Sequence, residues 1–428
     1  MHADYGRRTI VYTNIMTCCY SLVALFHDGE LMGYSNQFFS AIGVTSGDKK
    51  KLSAFSKASG ITVNKLKYYN SQNILPTGND LVRVTNSANI SPQFLMLKMG
   101  RLDKDIIEAI QENAELLLPI ISSFSPSIES PQTPFELGYE TPLGKLYQGD
   151  CYTLLKAQES DSVDLIFADP PFNLSKLYPS EIDDNLKTEK YLHWCQEWLG
   201  ECVRVLKPGG SLLLWNLPKW NSSLTNFLEG RLTFKHWIAT DIKYSLPIKG
   251  RLYPSHYSLL YYVKGEKANT FHPDKLAMHT CPKCYSELKD YGGYKHKMNP
   301  AGISMSDVWT DIPPVRHSKY KRREGSNELS LKLLDRIIEM ASNEGDLVFD
   351  PFGGSGTTYI AAELKGRRWL GCEIGPLDVI TNRFGLLDEE KKILTNYRLT
   401  FNSLFPEKIR SKREAKGLWT CESVRKEE

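Results

Sequence analysis

Two stretches of sequence decide the fold: Asp169-Pro170-Pro171-Phe172-Asn173 and, much later in the chain, Phe349-Asp350-Pro351-Phe352-Gly353-Gly354-Ser355-Gly356-Thr357-Thr358. Each directly follows a short apolar run, residues 163–168 in the first case and 346–349 in the second. Apolar runs of this length, bounded by Pro or Gly, are typical of buried strands in a parallel sheet. Both motifs are therefore predicted to lie in loops at the carboxyl ends of strands, where open α/β sheets build their sites.

The sequence around the two motifs alternates between strand and helix signals from about residue 141 to about residue 380. Residues 146–150 end a strand, and a helix over about 190–206 is predicted to stop at Lys207-Pro208-Gly209-Gly210. Further strands are predicted at 211–215 and 257–263. Such alternation predicts an α/β fold with a parallel, doubly wound sheet.

Residues 1–140 are predicted to form a separate, mainly helical accessory domain that ends in a linker rich in Ser and Pro at 122–134. Two short helical stretches, 51–58 and 63–70, are joined by a turn that contains Gly, which fits a helix-turn-helix reader of DNA. The same spacing also resembles a lysin-motif module, and a plain helical domain is equally compatible with it. An amphipathic helix is predicted over 106–121.

The chain carries a net charge of only +3 over 428 residues. Any polyanion is therefore expected to meet local basic patches, of which 317–323 and 408–413 are the densest, although the second is equally well a frayed basic tail. Nine scattered cysteines favour a reducing, cytoplasmic location over a disulfide framework. Polar residues interrupt the apolar stretch 9–26, so we expect a buried element or an extension upstream of Met32 rather than an export signal or a membrane anchor.

An irregular segment at 265–305, rich in His, Lys, Tyr and Gly, is predicted to be an insertion on the loop side of the sheet. Within it, Cys281 and Cys284 have the spacing of a metal-binding knuckle. His279, together with His272 or His296, would complete a tetrahedral zinc site there. A β-turn with two reduced thiols is the alternative interpretation.

The glycine-rich motif has the features of a nucleoside cofactor site. Its glycines let the backbone approach a ligand closely, and the helix that opens at Thr357-Thr358 directs its N-terminal amides towards an anionic group. An acidic residue, Glu373, ends the next apolar run, where dinucleotide folds bind a ribose hydroxyl. A Walker-type phosphate loop is excluded because no Gly-Lys-Ser/Thr sequence follows the glycines.

The Asp-Pro-Pro-Phe loop is predicted to be rigid, since its two prolines fix φ. The carboxylate of Asp169 and the carbonyl of Pro170 would both accept hydrogen bonds from one amino group, which biases a conjugated amine toward tetrahedral geometry and frees its lone pair to attack a sulfonium methyl group. Phe172 offers a face on which a flipped base stacks. Catalysis would then rest mostly on positioning. Together the two motifs point to methylation of an exocyclic amine of a DNA base.

The stretch from Gly144 to about Gly375 resembles the β group of DNA amino-methyltransferases, of the kind found in restriction–modification systems. The segments that carry the resemblance are 146–151, 162–173, 205–210 and 350–358. In that group the catalytic motif precedes the glycine motif, as it does here. Members with Asp-Pro-Pro-Phe/Tyr mostly methylate adenine N6, whereas cytosine-N4 enzymes more often carry Ser in place of Asp, and this favours adenine.

The resemblance implies a doubly wound S-adenosylmethionine-dependent methyltransferase sheet that transfers a methyl group to adenine N6 in double-stranded DNA by base flipping and direct attack. It implies that Asp150 lies near the adenine of the donor and that Glu373 holds its ribose. The residues expected at the amino-acid part of the donor lie between Asp350 and Gly356 and include Phe352, Gly353, Gly354 and Ser355. Thr357 and Thr358 are also expected to bind the donor. The residues expected to be catalytic are Asp169, Pro170, Pro171 and Phe172.

The resulting domain prediction has five parts. They are the N-terminal accessory domain and linker (1–140), the catalytic half (141–264), an inserted target-recognition segment (265–305), the donor-binding half (306–380) and a C-terminal extension (381–428). A cognate restriction endonuclease acting on the same site and a homodimer are compatible partners. The alternatives are a cytosine-N4 DNA methyltransferase and, more remotely, a non-catalytic DNA-binding regulator; the order of the motifs argues against RNA and protein-glutamine methyltransferases.

Overall fold

The structure is a computed structural model of the chain. It describes residues 37–45, 47–71, 74–102, 104–123, 135–173, 186–241, 249–250, 252–276, 289–290, 292–293, 303–312, 328–400 and 407–418. The chain divides into two compact units, residues 1–130 and 131–428.

The described part of the first unit is helical. Its helices are α1 (Gln37–Ala41), α2 (Lys49–Ser59), α3 (Val63–Ser71), α4 (Gly78–Ala88), α5 (Pro92–Lys98), α6 (Lys104–Glu112) and α7 (Ala114–Ser123). A core that includes Phe38, Leu66, Val84 and Leu95, each fully buried, joins α1, α3, α4 and α5.

The single amphipathic helix predicted over 106–121 is wrong, because α6 and α7 are separate helices. They meet at Asn113, whose side-chain amide donates a hydrogen bond to the carbonyl of Ala109 at 2.8 Å. Asparagine side chains compete in this way with the helical backbone and favour an interruption.

The second unit is built on a nine-stranded sheet. Its strands in chain order are β1 (Glu136–Glu140), β2 (Gly144–Gln148), β3 (Val163–Ala168), β4 (Leu206–Asn216), β5 (Thr233–Asp241), β6 (His256–Val263), β9 (Val308–Trp309), β10 (Leu347–Asp350) and β11 (Arg368–Glu373). A separate two-stranded sheet pairs β7 (Lys275–Leu276) with β8 (Ile303–Ser304). The strand order in the large sheet is β1-β2-β11-β10-β3-β4-β6-β5-β9.

Both faces of this sheet are covered by helices of the second unit, whose bounds are as follows. They are α8 (Cys151–Ala157), α9 (Thr188–Val205), α10 (Pro218–Leu228), α11 (Leu331–Ala341), α12 (Thr357–Leu364), α13 (Asp378–Phe384), α14 (Leu387–Thr400) and α15 (Glu407–Glu414). A hydrophobic core lies on each face of the sheet, and β3 contributes side chains to both. Leu165 and Phe167 pack in the core formed with α11 to α13, and Ile166 packs in the core formed with α8 to α10. Helices on two faces make the sheet doubly wound, which confirms the predicted α/β class.

The sheet is mixed rather than wholly parallel. The five strands β2, β11, β10, β3 and β4 run parallel, while β1 pairs antiparallel with β2 and β6 pairs antiparallel with both β4 and β5. Only three residues separate β1 from β2, and so short a connection cannot make the crossover that parallel pairing requires. The prediction of a parallel sheet therefore holds for these five strands and fails where β1 and β6 pair with their neighbours, while β9 pairs parallel with β5.

The helix ends before Lys207-Pro208-Gly209-Gly210, as predicted, but the next strand begins earlier than the predicted residue 211. Helix α9 stops at Val205, and β4 begins at Leu206 and runs through Lys207 to Gly210. The register between β3 and β4 shifts in this region, and Gly209 adopts a φ of +77°. The glycines are thus used to bend a strand that has already started.

The chain reverses its direction of travel across the sheet between β3 and β10. These two strands are parallel neighbours, with Val348 opposite Leu165. After β3 the chain continues to β4 on one side, and after β10 it continues to β11 on the other. A crevice at the carboxyl ends of the strands is expected at such a point, and both motifs follow strands that end there.

Candidate active site at the carboxyl edge of the sheet

The first motif forms a loop that side chains from other parts of the chain hold in place. The hydroxyl of Tyr191 on α9 donates to the carbonyl of Pro171 at 2.7 Å, and the indole Nε1 of Trp220 on α10 donates to the carbonyl of Phe172 at 2.7 Å. At the end of the motif, Asn173 has a φ of +53°, and its side chain makes two hydrogen bonds to the backbone of Leu186, at 2.7 and 2.8 Å. We call residues 169–173 the target loop.

The target loop has two hydrogen-bond acceptors besides the carbonyls that bind Tyr191 and Trp220. They are the carbonyl of Pro170 and the carboxylate of Asp169. The Pro170 carbonyl receives no hydrogen bond from the described part of the chain, and Asp169 lies half-buried just before it. The ring of Phe172 packs against Tyr257 at a centroid distance of 5.6 Å, and Tyr257 packs against Trp215 at 4.9 Å. The loop thus combines hydrogen-bond acceptors with an aromatic wall.

The second motif folds around a buried carboxylate. Asp350 ends β10 and is 3% exposed; it accepts hydrogen bonds from the Thr358 hydroxyl and, at 2.9 Å, from the amide of Phe352. Burial raises the pKa of Asp350 to about 7, because a low-dielectric surrounding disfavours the charged form more than these hydrogen bonds favour it. We call residues 350–358 the donor loop. The Asp350 carboxylate thus joins the first residue of the loop to Phe352 and Thr358.

The acidic residue at the end of β11 lies against the same loop. The two carboxylate oxygens of Glu373 accept hydrogen bonds from the amides of Gly354 at 2.7 Å and Gly375 at 2.8 Å. Burial raises the pKa of Glu373, and the hydrogen bonds from the two glycine amides oppose that rise. The structure therefore brings Glu373 to the donor loop, as the chain order suggested.

The third acidic residue, Asp150, lies at the end of the neighbouring strand. It follows β2, which pairs with β11, and it forms the N-cap of α8 by accepting a hydrogen bond from the amide of Thr153 at 3.0 Å. An N-capping role stabilises the helix. The expected contact of Asp150 with a donor adenine stays a prediction.

One glycine of the donor loop is required by its backbone and by its neighbours. Gly356 has a φ of +74°, and a Cβ atom added there would lie 2.7 Å from Cγ2 of Ile380. It is the N-cap of α12, whose first turn contains the buried side chains of Thr357 and Thr358. Glycine at this position lets the loop turn directly into the helix.

A buried arginine on α13 supports the donor loop. Arg383 on α13 is 1% exposed and donates to the Ser355 carbonyl at 3.0 Å and to the Thr357 hydroxyl at 2.7 Å. Its charge is balanced by an ion pair with Glu390 at 2.9 Å. The sequence reasoning missed Arg383, because no local pattern signals that a helix downstream supplies a donor to this loop.

Helix α9 contacts both loops through aromatic side chains. Trp194 and Trp198 meet Phe352 of the donor loop edge-on, at centroid distances of 5.9 and 4.9 Å, while Tyr191 reaches the target loop. These three residues follow an i, i+3, i+7 spacing, which places them on one helix face. This aromatic spacing is visible in the sequence and indicates a helix face that packs against neighbouring loops.

The predicted zinc ligands Cys281, Cys284, His279 and His296 lie outside the described residues. Among the residues that are described, no group of three or more His, Cys, Asp or Glu side chains has a metal-binding arrangement. His272, which is described, makes a 3.0 Å hydrogen bond from Nε2 to the side-chain oxygen of Asn343. Among the described residues, no helix is long and apolar enough to cross a membrane.

Comparison with known proteins gives one family. A family model described as DNA methylase matches residues 163–379. The chain is 43% identical over 401 residues to Type II methyltransferase M.BamHI of Bacillus amyloliquefaciens, covering 91% of this chain and 95% of that protein. It is 33% identical to DNA adenine methyltransferase YhdJ of Escherichia coli, over 54% of this chain and 78% of that protein. The solved structure of the cytosine-N4-specific PvuII DNA methyltransferase aligns with 61% of this chain and 95% of its own, at a TM-score of 0.43 and 21% identity.

Proposed function

Because the chain belongs to the DNA methylase family of N6 and N4 amino-methyltransferases and is a site-specific Type II DNA methyltransferase, we propose that it methylates the exocyclic amino group of one base in duplex DNA, with adenine N6 as the target. The observation that carries this proposal is the adjacency of β3 and β10, since each is followed by one of the two motif loops. A reaction that joins a bound methyl donor to a base needs both sites at one crevice. The shared contacts of α9 with the two loops support the same arrangement.

The donor loop fits S-adenosylmethionine by the chemistry of its groups. Glu373 has one hydrogen bond to each carboxylate oxygen, which leaves lone pairs for ribose hydroxyls. The N-terminal amides of α12, which begins at Thr357, suit the donor's carboxylate. When bound, S-adenosylmethionine supplies a methyl group on a positively charged sulfur. Asp350 shapes the loop from within, Arg383 supports it from α13, and Glu373 is the acidic residue that we assign to the ribose.

The target loop accounts for activation of the amine. An exocyclic amino group shares its lone pair with the base ring and is a weak nucleophile. Asp169 and Pro170 together accept its two N–H hydrogen bonds, so that the nitrogen becomes more tetrahedral and its lone pair is freed. The Asp169 carboxylate also stabilises the positive charge that develops on the nitrogen as it gains the methyl group, and it accepts the proton that the nitrogen then loses. Phe172, backed by Tyr257, offers the face on which the flipped base stacks.

Adenine is favoured over cytosine by Asp169 as the first residue of the motif and by the likeness to an enzyme named as a DNA adenine methyltransferase. Cytosine N4 is the second candidate, because it is also a conjugated amine with two N–H groups and the same two acceptors suit it. We assign sequence reading to residues 265–305 and expect a cognate endonuclease that cleaves the same site when it is unmethylated.

The test is modified-base mapping of plasmid DNA from cells that express the chain, compared with cells that express the Asp169→Ala variant. Methyladenine confined to one short motif, and lost in the variant, is the expected result. N4-methylcytosine in such a motif would keep the mechanism and replace the base. Folded protein that leaves both bases unmodified would overturn the proposal.

A further inference from the structure

The second and third helices of the N-terminal unit are joined by a tight, well-fixed turn. Only Gly60, Ile61 and Thr62 separate α2 from α3. Gly60 has a φ of +68°, Ile61 is 3% exposed, and the Ser56 hydroxyl donates to the Ile61 carbonyl at 2.6 Å. Two short helices with a three-residue turn containing Gly form the arrangement that DNA-binding helix-turn-helix proteins use.

Helix α3 has one buried face and one polar face. Leu66 is fully buried, and Tyr69 is 7% exposed. On the opposite side lie four exposed polar side chains with i, i+3, i+4 and i+7 spacing, Asn64, Lys67, Tyr68 and Ser71. At 3.6 residues per turn these four side chains form a single stripe. We call these residues the α3 stripe; its Tyr68 is 51% exposed.

The orientation of α3 is fixed from the side by α4. Lys65 forms an ion pair with Asp80 at 2.6 Å, and the hydroxyl of Tyr69 also donates to Asp80. These contacts hold α3 against α4 without using any residue of the α3 stripe. The stripe is therefore presented by a helix that is already positioned, as recognition of a rigid partner requires.

Charge is distributed unevenly along this unit. Residues 47–71 contain six lysines and one acidic residue, whereas 74–123 contain four basic and six acidic residues. The positive charge thus follows α2 and α3, and the rest of the described unit is slightly acidic. Lysines around a polar helix face suit a phosphate backbone with base edges between its strands.

We propose that the N-terminal unit is a second DNA-binding site, in which α3 enters the major groove and the α3 stripe contacts base edges. The major groove is wide enough for a helix, and amide, ammonium and phenol groups are the kinds of side chain that hydrogen-bond to base edges there. The lysines of α2 contact the flanking phosphates. This site adds affinity for DNA and takes no part in methyl transfer, so it is independent of the function proposed above.

The test compares two triple variants of the full-length chain. The first, Asn64→Ala with Lys67→Ala and Tyr68→Ala, removes three groups of the α3 stripe. The matched control, Arg83→Ala with Asn86→Ala and Gln93→Ala, also removes one positive charge and two other polar groups, from exposed positions on α4 and α5. Circular dichroism and thermal unfolding establish that both variants are folded. Binding to a fluorescent DNA duplex is then measured by anisotropy over a series of salt concentrations.

We expect the first variant to bind the duplex at least about tenfold more weakly and the control to bind as the unmodified chain does. For methylation, the first variant should raise KM for DNA and leave kcat at saturating DNA unchanged. Equal affinity in the first variant, or an equal loss in the control, overturns this proposal. Lost binding by the first variant in a chain that methylates no DNA would leave this site standing and overturn only the proposed function.

Discussion

The target loop and the donor loop lie at the ends of neighbouring strands but are held by different means. In the donor loop, Asp350 accepts hydrogen bonds from two residues of the loop itself, and Glu373 and Arg383 add contacts from β11 and α13. The target loop depends on Tyr191 and Trp220, which belong to two separate helices. Hydrogen bonds within a loop are encoded by its own motif, whereas support from outside the loop depends on residues far along the chain.

The difference also separates the functions of the two loops. In the donor loop the first acidic residue, Asp350, is engaged in internal hydrogen bonds and is 3% exposed. In the target loop, Asp169 is only half-buried, and the backbone carbonyls that follow Pro170 carry the structural contacts. The aspartate of the donor loop therefore shapes its site, whereas for that of the target loop we propose a role in binding the target amine.

The sharpest test of this contrast is Asp169→Ala. We expect kcat for methylation to fall by about 10²–10³-fold or more, because one of two preorganised acceptors for the target amine is lost. The affinity for S-adenosylmethionine, measured by calorimetry, should stay unchanged. The control is Asp307→Ala, which removes an exposed carboxylate of the same unit. A comparable loss of donor affinity in the Asp169 variant would show that the loops do not function separately.

The second test addresses the donor loop through Gly356→Ala. We expect the free energy of unfolding to fall by about 2–3 kcal/mol, since the variant combines a left-handed backbone with a close contact to Ile380. Gly230→Ala is the control, because Gly230 has a φ of +79° and no atom within 4 Å of the Cβ that alanine would add; it should lose only about 1 kcal/mol. Equal losses in urea unfolding would mean that the packing against Ile380 does not matter.

The smallest expected effect is that of Tyr191→Phe. Loss of the hydroxyl leaves the Pro171 carbonyl without its donor, and we expect kcat to fall by about 5- to 20-fold, as for a buried hydrogen bond worth about 1–2 kcal/mol. Tyr262→Phe is the control, because the buried Tyr262 hydroxyl has no hydrogen-bond partner in the described part of the chain. If Tyr191→Phe weakened donor binding as much as it lowered kcat, the Tyr191 hydroxyl would not act on the target loop alone, and this prediction would be wrong.

The same contrast explains what the sequence was able to predict. The strands before both motifs, the loops that follow them and the arrival of Glu373 at the donor loop depend on local patterns, and each was anticipated. The contact of Trp198 with Phe352 joins positions 154 residues apart, and that of Tyr191 with Pro171 crosses from a strand end to a helix. Periodicity within one element does not state which neighbour its face will meet.

The errors at the level of the fold have a related cause. The antiparallel pairing of β1 with β2 and the interruption at Asn113 depend on competition between alternatives of similar local propensity. In each case a turn length or a single side-chain hydrogen bond decides the outcome. The centre of the sheet, where burial is complete, leaves fewer alternatives and was predicted more accurately.

The two prolines of the target loop have a consequence for which bases it can admit. Positions 170 and 171 have no N–H group, so the loop presents oxygen acceptors there and no donor from those peptides. Guanine and thymine carry a keto oxygen where cytosine and adenine carry an amino group. A keto oxygen is itself a hydrogen-bond acceptor. It would face the Asp169 carboxylate and the Pro170 carbonyl without a proton to share with either. In the mechanism that we propose, the loop therefore discriminates amino bases from keto bases by repulsion as well as by attraction.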